Sequence, residues 1–220
     1  NPLRIGNEKM LFLQKKLMDS LALIPGNFYH IYNRGNNGQD IFFENENYIF
    51  FLNRYDRYIS PFCETIAWVL LKNHFHILIY VKDYEDFNMN NLEYSTVKSP
   101  KRIDLHLQFG HFFNSYAKAI NKRYKRTGSL FEKKFERKIV NSDTYLQNLI
   151  HYIHYNPVKH RFTENIWDYP WSSYESVLSS KPTKLKREFV LNLFKNKKAF
   201  EEEHQKEKNY IDIEDLIIEY

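Results

Sequence analysis

The chain has 220 residues, with 32 Lys and Arg against 27 Asp and Glu, a formal charge of +5 and 17% aromatic residues. That length suits one compact domain with extensions or two small domains, and so many aromatics exclude a chain too polar to bury a core. One cysteine, Cys63, excludes a disulfide scaffold, and no apolar run reaches the length of a membrane span.

In chain order, residues 1–25 are read as an N-terminal helical extension. Its apolar bursts Met10–Leu13 and Leu21–Ile24 are broken by Lys15, Lys16 and Asp19, unlike the single apolar region of a secretory signal. The expected location is therefore cytoplasmic, with no membrane partner. Residues 27–33 (NFYHIYN) predict a first strand, and RGNNG a loop after it. Glu44–Ile59 has helical spacing of its apolar residues. Thr65–Leu71 and His74–Val81 are β-rich runs separated by Lys72-Asn73, which predicts an antiparallel hairpin. Residues 82–103 read as a polar loop, Asp104–Tyr124 as a helix ended by Thr127-Gly128, and Phe135–Val140 as a fourth strand. Ser142-Asp143 cap a further helix expected to stop near Asn156, before Pro157.

The order β-α-β-β-α-β predicts an α+β fold, a ferredoxin-like antiparallel sheet with packed helices. A core domain over residues 26–180 is expected, with residues 181–220 as a helical C-terminal appendage. That appendage carries nine basic and nine acidic residues, so the positive charge belongs to the rest. It concentrates in residues 118–138, where Lys118, Lys122, Arg123, Lys125, Arg126, Lys133, Lys134, Arg137 and Lys138 face only Glu132 and Glu136. Tyr116, Tyr124, Phe131 and Phe135 are interleaved, and basic residues with aromatics suggest a nucleic-acid surface on which Tyr116 and Tyr124 stack bases. A solvated helix face is the plainer alternative.

Side chains alternate along a strand, so His74 and His76 share one face and are able to converge on a metal ion, or to sit half-buried against backbone carbonyls. In Tyr145–Pro157, Leu146, Leu149, Ile150 and Ile153 form the apolar stripe, with Tyr152 and Asn156 stacked four residues apart at its edge. His151 and His154 point to other sides of that helix and are read as surface or secondary contacts.

Five segments together, FYHIYNRGNNGQDIF (28–42), AWVLLKNHFHILI (67–79), YKRTGSLFEKKF (124–135), YLQNLIHYIHYNPVKH (145–160) and DYPWSSY (168–174), resemble the HUH single-tyrosine transposases, most closely the REP-associated branch. The resemblance implies an enzyme that breaks and joins single-stranded or hairpin DNA. His74, His76 and Asn156 would be its metal ligands, Tyr152 its nucleophile, and Mg²⁺ or Mn²⁺ its cofactor. Arg34, in the NRG segment, would join the basic residues on DNA. Either a monomer or a homodimer fits. The rival from another class is a non-catalytic nucleic-acid-binding module on the same fold. The candidate strand HFHILIYV lacks the glycine of the common RNA-binding signature.

Overall fold

The computed structural model describes residues 23–88, 103–132, 134–206, 208 and 210. Nearly all of the expected N-terminal extension, most of the loop after residue 88, and Lys133 lie outside them.

Four strands, β1 (Phe28–Arg34), β2 (Cys63–Leu70), β3 (His74–Val81) and β4 (Glu136–Val140), form one antiparallel sheet in the order β2-β3-β1-β4. Six helices accompany them: α1 (Asn45–Tyr58), α2 (Leu105–Arg123), α3 (Asp143–Lys159), α4 (Tyr174–Leu178), α5 (Arg187–Leu193) and α6 (Lys197–His204). This is the expected α+β, ferredoxin-like arrangement. The helix starts follow local chemistry. Asp104 accepts hydrogen bonds from the His106 and Leu107 amides, Ser142 from the Tyr145 amide, and Glu44 forms a reciprocal cap with Asn47.

Pro157 does not stop α3, which runs on to Lys159. Proline withholds one N–H, from the Ile153 carbonyl, but so close to the helix end little further bonding is lost. The end is closed instead by His160 N–H on the Asn156 carbonyl (2.9 Å) and Phe162 N–H on the Pro157 carbonyl (2.8 Å).

Register assigns the two sheet faces. One carries Tyr29, Ile31, Phe75, Ile77, Ile79 and Val81, and packs with α1 and α2 around Phe51, Phe112 and Tyr116. The other carries His30, Tyr32, His74, His76 and Leu78, and lies under α3, whose Leu146, Leu149, Ile150 and Ile153 are all buried. Residues 185–204 were expected as part of an appendage. They press Leu185, Val190, Phe194 and Phe200 into this second core. Their helices are too short for a periodic stripe to show in sequence.

The edge strand β2 is covered. The Leu70 amide donates to the Trp171 carbonyl, the Ser173 amide to the Trp68 carbonyl, and the Lys186 amide to the Thr65 carbonyl, each at 2.9 Å. The DYPWSSY segment therefore closes the sheet edge, with Tyr169 Oη donating to the Leu70 carbonyl and Trp171 stacked on Tyr48 at 4.5 Å. At the far end of β1, Gly35 donates to the Asn73 carbonyl (2.7 Å). A Cβ there would stand 1.8 Å from the Gln39 carbonyl oxygen, so this turn admits no side chain.

Candidate active site

β3 and α3 bring together the residues that sequence reading singles out. His74 and His76 project from the strand toward α3, and Tyr152 and Asn156 project from α3 toward the strand. All four are 3% exposed or less. The Tyr152 ring meets the His76 ring edge-on at 5.6 Å in the same chain. Asn156 is oriented by its own helix, its Nδ2 donating to the Tyr152 carbonyl at 3.0 Å, which leaves Oδ1 directed at His74 Nε2, 3.5 Å away.

The outer nitrogens of both histidines are engaged. His74 Nδ1 lies 2.7 Å from Asn73 Oδ1, an acceptor only, so this nitrogen carries the proton and Nε2 presents a lone pair. His76 Nδ1 lies 2.9 Å from His30 Nε2, and its own Nε2 is buried with no hydrogen-bond partner among the described residues. Burial, first of several causes, holds His74 down to about 3 and His76 well below the ordinary histidine range, so both rings are neutral, as ligands must be.

Two imidazole nitrogens and a carboxamide oxygen thus form the candidate ligand set. The 3.5 Å between His74 Nε2 and Asn156 Oδ1 is close to the spacing of about 3 Å expected of adjacent ligands in an octahedron with bonds of about 2.0–2.1 Å. Among the described residues no group of three His, Cys, Asp or Glu side chains is placed to hold a metal, so the third candidate donor beside the two histidines is the neutral Asn156.

His30, missed as a site residue in sequence reading, is fully buried between Tyr32 and His76. The signal for it was its strand parity with Tyr32 in FYHIYN, but only register reveals what lies across from it. His160 meets His74 at 4.8 Å between ring centroids, and Lys159 Nζ stands 5.4 Å from the Tyr152 ring. Tyr210 closes over the other side of Tyr152 at 5.3 Å.

His151 and His154 are not surface residues. Both are fully buried, because α3 is covered on this side by α6 and by Tyr210. His204 Nδ1 lies 2.8 Å from the Phe200 carbonyl and so donates to it, leaving Nε2 to accept from His154 Nδ1–H (2.9 Å). His154 Nε2 then accepts from the Ser173 hydroxyl (2.8 Å), whose oxygen accepts the Trp68 N–H (2.9 Å). This chain of neutral groups ties α6 and α3 to the edge strand. His151 Nδ1 meets Tyr210 Oη at 2.7 Å.

The basic candidates are dispersed. Lys118, Lys122, Arg123, Lys125 and Lys134 are exposed. Arg123 pairs with Glu44, and Arg34 pairs with Glu132 at 2.7 Å. Arg126 bonds Gln39 at 2.9 Å beside Phe43. Arg137 donates to His106 Nδ1, whereas Lys138 lies opposite His30 on the other sheet face. The interleaved aromatics are core, not surface. Tyr116 is fully buried with its hydroxyl on the Ile41 carbonyl (2.7 Å), Phe131 and Phe135 are buried, and the half-buried Tyr124 donates to Glu44 Oε1 (2.6 Å). Tyr116 shares the buried face of α2 with Phe109, Phe112, Phe113 and Ile120, and Phe131 and Phe135, beyond the helix, pack into the same core.

No helix among the described residues is long and apolar enough to cross a membrane. No family model matches the sequence. A REP-associated tyrosine transposase of Haemophilus influenzae is 30% identical over 117 residues, which span 52% of this chain and 60% of that protein. In structure, a REP-associated tyrosine transposase bound to a REP hairpin superposes with a TM-score of 0.54 at 15% identity, covering 72% of this chain and 84% of that one. Two structures of a bacterial tRNA(His) guanylyltransferase-like protein, with GTP and with ATP, reach TM-scores of only 0.36 and 0.39 at 11% and 10% identity, covering 76% and 88% of this chain and 83% and 80% of theirs. In sequence and in fold, this chain is similar to the REP-associated tyrosine transposases.

Proposed function

We propose that this protein is an HUH single-tyrosine enzyme that cleaves and rejoins single-stranded DNA at hairpin-forming sites. Tyr152 is the nucleophile, and His74, His76 and Asn156 hold a divalent cation, Mg²⁺ or Mn²⁺. The observation that carries this reading is that His74 Nε2 faces Asn156 Oδ1 at 3.5 Å while the His76 ring, its buried Nε2 without a hydrogen-bond partner among the described residues, lies 5.4 Å from the His74 ring and 5.6 Å from the Tyr152 ring of the same chain. The relative of similar sequence is named a transposase, and the solved relative holds a hairpin, which supports DNA of that kind as the partner.

A divalent ion at those atoms supplies Lewis-acid polarisation of a phosphate oxygen. The protein's own groups do the rest. Asn73 and His30 hold the two imidazoles with their inner nitrogens facing the site. The Tyr152 oxygen gives up its proton and attacks phosphorus, a phosphotyrosine bond forms as the bond from phosphorus to a deoxyribose oxygen breaks, and that oxygen leaves and takes up a proton. The phosphoester is retained, so attack by a DNA hydroxyl on phosphotyrosine reseals the strand and frees the phenol without a nucleotide cofactor. Lys118, Lys122, Lys125, Arg126, Lys133, Lys134, Arg137 and Lys138, with Arg34 and Arg123 once released from their carboxylates, contact phosphates.

One observation favours the rival binding module: Tyr152 has no exposed surface, so a phosphodiester reaches it only if the groups over it give way. Labelled single-stranded DNA carrying a hairpin, incubated with Mg²⁺ or Mn²⁺, distinguishes the two. A denaturation-resistant protein–DNA adduct is expected from wild type and none from Tyr152→Phe. An adduct on another tyrosine overturns the assignment of the nucleophile. DNA binding without any adduct in wild type supports the binding module.

A further inference from the structure

We propose that the groove between α2 and the residues Gly128–Phe131, Lys134 and Phe135 is a pocket for one unpaired base of the bound DNA. The inference rests on the nucleic-acid reading above and names a contact separate from the cleavage centre. The groove encloses about 490 Å³, and its floor is formed by Phe113, Phe131 and Phe135. Exposed Lys118 and Lys134 stand on its two sides, matching the charge of a sugar-phosphate backbone.

Three features suit a base in particular. Gly110 lies inside α2, where glycine weakens a helix relative to alanine, yet beyond its own helix backbone and chain neighbours no atom lies within 4 Å of where its Cβ would be. Close packing therefore does not require this glycine, and its effect is to leave the groove open. Asn121 Nδ2 is held by the Gly128 carbonyl at 2.9 Å, and Asn121 Oδ1 is buried without a hydrogen-bond partner among the described residues. An amino or imino N–H of a base would satisfy it, and a buried acceptor left unpaired is costly. On another wall, His106 stacks on Phe135 at 4.9 Å and accepts the Arg137 N–H at Nδ1 (3.0 Å), so its neutral ring keeps Nε2–H as a donor. An apolar floor with an acceptor and a donor matches a nucleobase, which has an aromatic face and a polar edge.

Placement joins the groove to the cleavage centre. Asn33, at the groove wall, lies opposite Phe75, between Tyr32 opposite His76 and Arg34 opposite His74. The pocket is therefore on the reverse face of the same end of the sheet, and a strand running past that end reaches both.

The test uses the full chain and a DNA hairpin with a single-stranded tail scanned by abasic positions. In wild type, one abasic position is expected to weaken binding about tenfold. Gly110→Leu fills the groove from a position with open space, and is expected to bind the intact tail about tenfold more weakly and to lose sensitivity to that abasic position. Gly110→Ala should keep both properties, and Asn114→Ala, at the exposed wall, should weaken the intact tail only. Thermal melts confirm folding. If Gly110→Leu is folded and binds intact and abasic tails as wild type does, the pocket is refuted while the cleavage reading stands. If wild type binds no DNA, the functional reading itself has failed, and the pocket with it.

Discussion

Acid should unfold this protein early, through its buried histidines. Burial is the first cause that holds His74, His151 and His204 down to about 3, about 4 and about 3, and His76 and His154 well below their ordinary range. The folded chain keeps all five essentially neutral at pH 5.5, whereas the unfolded chain protonates them near about 6.5. Above that value neither state binds these protons and stability is whole. As the pH falls below it, the unfolded state gains protons that the folded state refuses, and stability is lost until the folded values are reached. Each histidine costs at most about 1.4 kcal/mol per pH unit, so five approach about 7 kcal/mol per unit, comparable with the roughly 5–15 kcal/mol of a whole domain. Carboxylates act lower: Glu203, paired with Lys206 and Lys208 and held down to about 2, loses its contribution only below the ordinary carboxylate range. Urea titrations between pH 7.5 and 5.5 in EDTA measure the slope. Across that interval His204→Gln should lose about 1.4 kcal/mol less stability than wild type, since one titrating group is gone. A wild-type stability flat from pH 7 to 5.5 would refute the neutral-histidine reasoning, and so would an unchanged slope in the variant.

Three more expectations follow from the same geometry. His74→Ala and His76→Ala should abolish metal-dependent cleavage while melting near the wild-type temperature in EDTA; Asn156→Ala should be milder, because water replaces a neutral ligand, and isothermal titration with Mn²⁺ ranks the three. His30→Ala should weaken Mn²⁺ binding by about 10–100-fold, the usual cost of losing a group that orients a ligand, and His30→Gln should recover part of it; unchanged affinity would show that the His30–His76 contact does not set the ligand's orientation. Neutralising Lys118, Lys122 and Lys134 together should lower the log–log salt slope of single-strand binding by about 0.7 for each phosphate that is no longer bound. An unchanged slope would return these lysines to a solvated face.

Much of this was legible in one dimension because it is local. Strand parity placed His74 and His76 on one face, helical spacing stacked Tyr152 on Asn156, and Ser142 announced the helix that it caps. Basic residues near aromatics misled for the converse reason: local charge is visible in sequence, but Tyr116, Phe131 and Phe135 turn inward to a sheet that only the folded chain supplies. His30 acquires meaning from β1–β3 register, and His154 from a serine 19 residues and a histidine 50 residues away. By itself the sequence determined the four strands, the three long helices, their order and the faces on which the chemistry sits, since backbone geometry and spacing are properties of neighbours. The tertiary structure alone decided which faces meet, which histidines stay neutral and where a groove remains open. Those outcomes depend on burial and on partners far along the chain.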